Sequence, residues 1–209
     1  MRSDISIGIV DYNAGNIQSI INALNYLGIK NQLVSDPCAL AQYDGLIIPG
    51  VGAFDDAMDS LSNRGMVDGL NSVKNTLPIL GICLGMQLMC SSSEEGSKPG
   101  LGWINARVKS IVPTSKKIKV PHMGWNQVNE VFNPLFTDIP NQADFYFVHS
   151  YCVVSGDELL TTAHSSHGEN FISSFSHNDI FGVQFHPEKS QDHGLTLLDN
   201  FAEVCHGKK

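Results

Sequence analysis

The sequence predicts an α/β protein: a mostly parallel sheet with helices on both faces, extended by a second half of short strands. Three observations carry this. Strand-like and helix-like periods alternate from Ile5 to Met89. From Arg107 onward the chain breaks into short apolar runs separated by turn residues, closed by one helix. With 209 residues, the chain is expected to form a single domain over 1–209 with one sizeable core.

The elements follow in order. Ile5–Val10 is an uninterrupted apolar run and reads as a buried strand. After the loop Asp11-Tyr12-Asn13-Ala14-Gly15, Asn16 is placed to cap a helix. Ile17, Ile20, Ile21, Leu24 and Leu27 repeat with the helical period, and Gly28 is expected to end the helix as C′. Gln32–Val34 and Gly45–Ile48 are the next strands, the latter ending in Pro49-Gly50-Val51-Gly52. Helical patterns cover Phe54–Leu61 and Met66–Lys74. A fourth strand, Leu77–Ile82, runs into Cys83 and a short helix through Met89, with Ser91-Ser92-Ser93 as the loop behind it. This order implies parallel strands, and ligands of such sheets sit at the carboxyl ends of the strands. Pro49–Gly52 and Cys83–Gly85 both fall at such ends. In the second half the strand-like runs are Arg107–Val112, Ile118–Pro121, Trp125–Val131, Phe145–Val154, Leu159–Ala163, Phe171–Phe175 and Ile180–His186. Gly194–Val204 reads as the closing helix.

Composition excludes several classes. Thirteen basic residues against 21 acidic ones give a net charge of -8, which disfavours general nucleic-acid binding. The small basic cluster Lys116, Lys117 and Lys119 reads as a solvated strand edge. No secretory signal is expected, and the longest apolar stretch, Leu77–Cys90, is too short to span a bilayer. Five cysteines without CxxC spacing fit a reducing cytoplasm, with neither a disulfide framework nor a thiolate zinc site. His164 and His167 form the nearest other histidine pair, but a zinc site would need more ligands.

The residues capable of chemistry lie at strand ends. Gly81-Ile82-Cys83-Leu84-Gly85 is a G-x-C-x-G turn between a strand and a helix, the cysteine counterpart of a nucleophile elbow. Such a turn strains its central residue and leaves no room for neighbouring side chains. The helix N-terminus favours thiolate, and the Leu84 N–H can face a developing oxyanion. The alternative is a buried structural cysteine between glycines that permit close packing. In His186-Pro187-Glu188, residues two apart on a strand share a face, so a base and its orienting carboxylate can meet. Read alone, His186 could equally be an ordinary core or surface histidine. Pro49–Gly52 can supply a second oxyanion N–H; a phosphate loop is the weaker reading, since no Lys-Ser/Thr follows. Together, Cys, His and Glu point to thiol acyl transfer.

PGVGAF, GICLGMQLM with its trailing SEEG, KVPHMGWN, FYFVHSY and GVQFHPEKS resemble the class I (triad-type) glutamine amidotransferases over residues 5–204. PHMGWN and YFVHSY are the motifs most similar to glutaminase subunits of imidazole glycerol phosphate synthases. The resemblance implies a doubly wound, mostly parallel sheet with an added antiparallel portion. It implies Cys83 as nucleophile, His186 as general base and acid, and Glu188 as its orienter. It further implies an oxyanion hole from Val51, Gly52 and Leu84, and glutamine binding by Gly50, Gln87, Ser150 and Tyr151. No metal or organic cofactor is implied. Ammonia would pass to a (β/α)8 cyclase of histidine biosynthesis, on a face including Asn13, Asn16, Met123, Trp125, Tyr146 and Lys189. For Trp125 a core position is the competing expectation. Departures from the family pattern are Cys90-Ser91, Cys152 and His167-Gly168, none in the triad. Two other readings are carried. One is the same chemistry feeding a sugar amidotransferase system of surface-polysaccharide synthesis, which Gly100–Ile104 weakly resembles. The other is a catalytically idle partner-binding scaffold. The lone chain is expected to be nearly idle until a partner turns the second oxyanion N–H into place.

Overall fold

The computed structural model describes residues 5–13, 16–116, 118–129, 133–155 and 160–208. Its first half contains β1 (Ser6–Val10), α1 (Ile17–Tyr26), β2 (Lys30–Val34), β3 (Gly45–Ile48), α2 (Phe54–Asn63), α3 (Met66–Val73), β4 (Ile79–Ile82), α4 (Leu84–Leu88) and β5 (Cys90–Ser93). There follow β6 (Ile104–Ser110), β7 (His122–Val128), β8 (Ala143–His149), β9 (Tyr151–Ser155), β10 (Thr161–His167), β11 (Glu169–His177), β12 (Ile180–Val183) and α5 (Gln191–His206).

The main sheet runs β2-β1-β3-β4-β12-β11-β9-β6-β5, with β10 on β11. From β2 to β12 every pairing is parallel. From β12 through β11 and β9 to β6 every pairing is antiparallel, and β5 returns to a parallel pairing with β6. β7 and β8 form a separate two-stranded ribbon. Strand alternation divides the core. Ile7, Ile9, Ile47, Leu80 and Ile82 pack under α1 and α5, while Val10, Leu46, Ile48 and Ile79 pack under α2, α3 and α4. Helices thus cover both faces of the parallel sheet, in agreement with the expected fold class.

Several elements depart from expectation. Ser91–Ser93 belongs to β5 rather than to a loop; it is held by pairing with β6, a partner that local propensity does not report. Ile118–Pro121 forms no strand; Pro121 has no N–H to give a ladder. The run Phe145–Val154 splits at Ser150, because β8 pairs with β7 and β9 with β6 and β11. Parts of other expectations (Ala14 and Gly15, Lys117, the end of Trp125–Val131, and Leu159) lie outside the described residues. Asn16 precedes α1 but makes no side-chain cap: its backbone (φ -85°, ψ 67°) is not in the extended region from which a capping oxygen reaches the first N–H groups. The other end of α1 closes as expected. Gly28 has φ 71°, its N–H donates to Asn25 O, and Ile29 N–H donates to Leu24 O, the paired bonds of a Schellman turn. Among the described residues no helix is long and apolar enough to cross a membrane.

Two glycines should respond differently to alanine. A Cβ on Gly28 meets nothing within 4 Å, so Gly28→Ala carries only the left-handed backbone cost, about 1–2 kcal/mol. A Cβ on Gly85 would lie 1.9 Å from Ile48 O, so Gly85→Ala must displace β3 or α4. Thermal melts should show a small loss for the first and a clearly larger one, about 3 kcal/mol or more, for the second.

Candidate active site

β4 lies between β3 and β12, parallel to both, so three loops leave the same edge of the sheet side by side. Neighbouring strands are about 4.8 Å apart, which brings Pro49–Gly52, Cys83–Gly85 and Gln184–Glu188 together. At the central position Cys83 has φ 53° and ψ -110°, a strained conformation for a residue with a side chain. The glycines around it are packed to the limit. A Cβ on Gly81 would meet the Gly85 carbonyl at 2.7 Å, and one on Gly50 would meet the Gly85 nitrogen at 2.5 Å. Gly50 therefore lies against Leu84 and Gly85 and is not among the residues lining the cavity. Both sequence readings of G-x-C-x-G hold in part: the turn is strained, and its glycines are also packing requirements.

The cavity beside Cys83 has a volume of about 310 Å³ and is lined by Val51, Gly52, Leu84, Gln87, Glu95, Val148, His149, Ser150 and Tyr151. The backbone at the elbow and at Val51–Gly52 therefore borders the space in front of the sulfur. Glu95, Val148 and His149 were missed by sequence reasoning. Among the described residues Glu95 is the one carboxylate on this wall; one of its oxygens accepts from Phe54 N–H at the start of α2 (3.0 Å). Burial raises its pKa above the usual carboxylate range, against the opposing Phe54 N–H bond. A negative group here suits the α-ammonium of an amino acid. Its signal lay in the SEEG run, which carried no assigned role.

His186 and Glu188 do meet, but not by strand alternation. β12 ends at Val183, and Pro187–Lys189 is a 3-10 turn that folds the carboxylate back. His186 Nδ1 donates to Glu188 Oε1 at 2.9 Å, with both side chains buried. His186 Nε2 has no hydrogen-bond partner among the described residues and is free to exchange a proton. Burial pulls the His186 pKa down; the neighbouring Cys83 sulfur and the Glu188 carboxylate more than reverse this, to about 10. The other buried cysteines differ. Burial, the leading cause, pushes the thiols of Cys90, Cys152 and Cys205 up to about 12, which suits packing rather than reactivity.

Gln87 is buried, and its amide is already committed. Nε2 donates to Tyr151 O and to Gln184 Oε1, both at 2.9 Å. Its own Oε1 is what remains to receive a ligand N–H. The Tyr151 carbonyl also accepts from His149 Nδ1 at 2.8 Å. This fixes the tautomers behind it: His149 Nε2 accepts from His122 Nδ1 (2.9 Å), and His122 Nε2 accepts from Asn126 Nδ2 (3.2 Å). Burial, first, and neighbouring histidine charges lower His122 to about 4 and His149 to about 3, so the chain is neutral. Neutral rings with every nitrogen in use hold the Ser150–Tyr151 segment in place. Among the described residues no group of three or more His, Cys, Asp or Glu side chains could hold a metal ion.

The expected interface residues fall in two places. On the β7–β8 ribbon Met123 and Trp125 are 63% and 48% exposed, so Trp125 is not a core residue. Trp125 pairs with Tyr146 across the ribbon, and Lys189 Nζ lies 6.0 Å above the Tyr146 ring. The same β8 strand reaches the active site: Tyr146 O accepts from His186 N–H, and Val148 O lies 3.8 Å from Cys83 Sγ. Asn13 and Asn16 flank the β1–α1 loop. There Tyr12 donates to Pro49 O, joining that loop to Pro49–Gly52.

A parallel sheet with a cysteine elbow at one strand end and a His–Glu pair at the next defines a thiol-dependent acyl-transfer enzyme. The profile of the family "Glutamine amidotransferase class-I" matches residues 8–205, and the chain belongs to that family. It is similar to the protein named imidazole glycerol phosphate synthase subunit HisH of Sulfurimonas denitrificans, 46% identical over 94% of this chain and 97% of that one. The same is true of the protein of that name in Moorella thermoacetica (46%, 95% and 94%) and in Leptospira interrogans (41%, 95% and 100%). Among solved structures, a GMP synthase component from Thermoplasma acidophilum superposes with a TM-score of 0.75 at 23% identity, over 97% of this chain and 94% of that one. That likeness supports the fold.

The raised His186 pKa has a measurable sign. The folded state binds the proton more tightly than the unfolded chain, so its stabilising contribution is complete below about pH 6.5 and is lost as pH rises through about 10. Glu188→Gln removes one of the groups that raise it. Urea midpoints between pH 6.5 and 10 should fall less steeply in Glu188→Gln than in the parent protein.

Proposed function

We propose that this chain is the glutaminase subunit of an imidazole glycerol phosphate synthase, hydrolysing L-glutamine and passing the ammonia to a (β/α)8 cyclase. The observation that carries the reading is the single cavity that joins the Cys83 sulfur, two glycine-rich turns and the Glu95 carboxylate, with His186–Glu188 on the neighbouring strand end. The names of its relatives support the pathway, and the exposed Met123–Trp125–Tyr146 surface supports a partner. The chain acts as one glutaminase domain, since both halves of the core share one sheet. A cytoplasmic location agrees with five free cysteines.

The reaction follows from the geometry. Cys83 gives its proton to His186 Nε2, and the sulfur attacks the side-chain amide carbon of glutamine. The amide oxygen becomes an oxyanion facing the Leu84 N–H and the Val51–Gly52 peptide; one such donor is worth about 3 kcal/mol in a transition state. The tetrahedral intermediate collapses, the C–N bond breaks, and His186 returns the proton to the departing ammonia. Water, deprotonated by His186, then cleaves the thioester to glutamate and regenerates the thiol. Glu188 holds the ring so that Nε2 faces the sulfur throughout. Glu95, Gln87 and Ser150–Tyr151 hold the amino-acid end of the substrate.

Glutamate release should be slow for the isolated chain and strongly stimulated by the cyclase with its nucleotide ligand. Cys83→Ala should abolish it, by roughly 10⁴-fold or more. Absence of stimulation with an intact Cys83 would point to another ammonia acceptor, a sugar amidotransferase system first. Trp125→Ala should weaken binding of the cyclase by about 2 kcal/mol, roughly thirtyfold in Kd by titration calorimetry, while melting of the free chain stays near that of the parent.

A further inference from the structure

Register places Gln184 beside the nucleophile. β12 pairs with β4 through Gly182 with Gly81 and Val183 with Ile82, and Cys83 N–H donates to Val183 O. The next residues on each strand are then Gln184 and Cys83. Gln184 is fully buried in a strand end that is otherwise apolar, Ile-Phe-Gly-Val-Gln-Phe, and the chemical steps leave it without a part. Its amide nonetheless joins two parts of the site. Nε2 donates to Cys83 Sγ at 3.6 Å, and Oε1 accepts from Gln87 Nε2 at 2.9 Å.

We infer that Gln184 is a positioning residue of the glutaminase site, holding the Cys83 sulfur with its N–H and the Gln87 amide with its carbonyl. The inference rests on the glutaminase reading for the second of these roles and on geometry alone for the first. A donor aimed at the sulfur favours the thiolate over the thiol and limits rotation of the side chain away from the cavity. The carbonyl end orders Gln87, which orients the one oxygen that Gln87 has left for substrate. A hydrophobic residue of the same size would fill the space and supply neither bond.

Two variants separate the roles. Gln184→Met keeps the volume and removes both bonds. Gln184→Glu keeps an acceptor for Gln87 and removes the amide donor from the sulfur. The first measurement is the pH dependence of iodoacetamide alkylation at Cys83, resolved by mass spectrometry. The exposed Cys38 serves as an internal reference. The second is kcat and KM for glutamine in the complex with the cyclase. In Gln184→Met the Cys83 alkylation midpoint should move to higher pH by about one unit, with Cys38 unchanged, and KM should rise roughly tenfold. In Gln184→Glu the alkylation midpoint should also rise and kcat should fall, while KM returns toward that of the parent. If Gln184→Met moves neither the alkylation profile nor KM, Gln184 is only a packing residue and the inference is overturned. Equal KM increases in both variants, matched by equal losses of melting temperature, would also overturn it. If the parent complex does not hydrolyse glutamine but the alkylation midpoint still shifts, the glutaminase reading falls and the role at the sulfur stands.

Discussion

The site depends on one constraint: β4 is hydrogen-bonded in parallel to β3 on one side and to β12 on the other. Parallel neighbours end at the same edge. The oxyanion turn, the nucleophile and the base therefore emerge within a strand spacing or two of each other. No side-chain interaction would be needed to bring the three loops together, only to refine their aim. The close glycine contacts follow from the same constraint, because three turns compete for one small space. Ile48 O lies where a Gly85 side chain would begin, and the Leu84 and Gly85 backbone lies where a Gly50 side chain would begin.

Within that frame polar groups fall into two electrostatic classes. The His186–Glu188 pair is buried and ionic, which keeps a proton on the imidazole up to about pH 10. The adjoining chain from Asn126 through His122 and His149 to the Tyr151 carbonyl is buried and neutral. The division is physically sensible. A charge near the sulfur can do chemistry, whereas charges behind the substrate segment would cost desolvation without a reaction to drive. The neutral chain begins on the same ribbon that exposes Met123 and Trp125 and ends on the residues lining the substrate cavity. A partner seated on that ribbon would press on a rigid, fully hydrogen-bonded support.

Much of this was readable before the structure. The parallel half shows its strands as short apolar runs and its helices as regular stripes, since each element must present an apolar surface to one core. Cys83, His186 and Glu188 stood out because glycine, proline and a reactive side chain at a strand end have few other uses together. Glu95, His149 and Gln184 were not singled out. Each is an ordinary polar residue in its local sequence, and its importance comes from what lies opposite in space. β5 was missed for the same reason: three serines have no strand propensity of their own, and only the pairing with β6 makes them a strand.

The sequence by itself determined the alternation of strand and helix, the elbow at Cys83 and the composition of the triad, because these are set by periodicity and by local backbone sterics. Only the tertiary structure decided that β12, far along the chain, lies beside β4, that Glu188 reaches His186 through a 3-10 turn, and that Gln184 faces the sulfur. Those outcomes belong to hydrogen-bond register between remote strands, and register is a property of pairs of segments that neither segment carries alone.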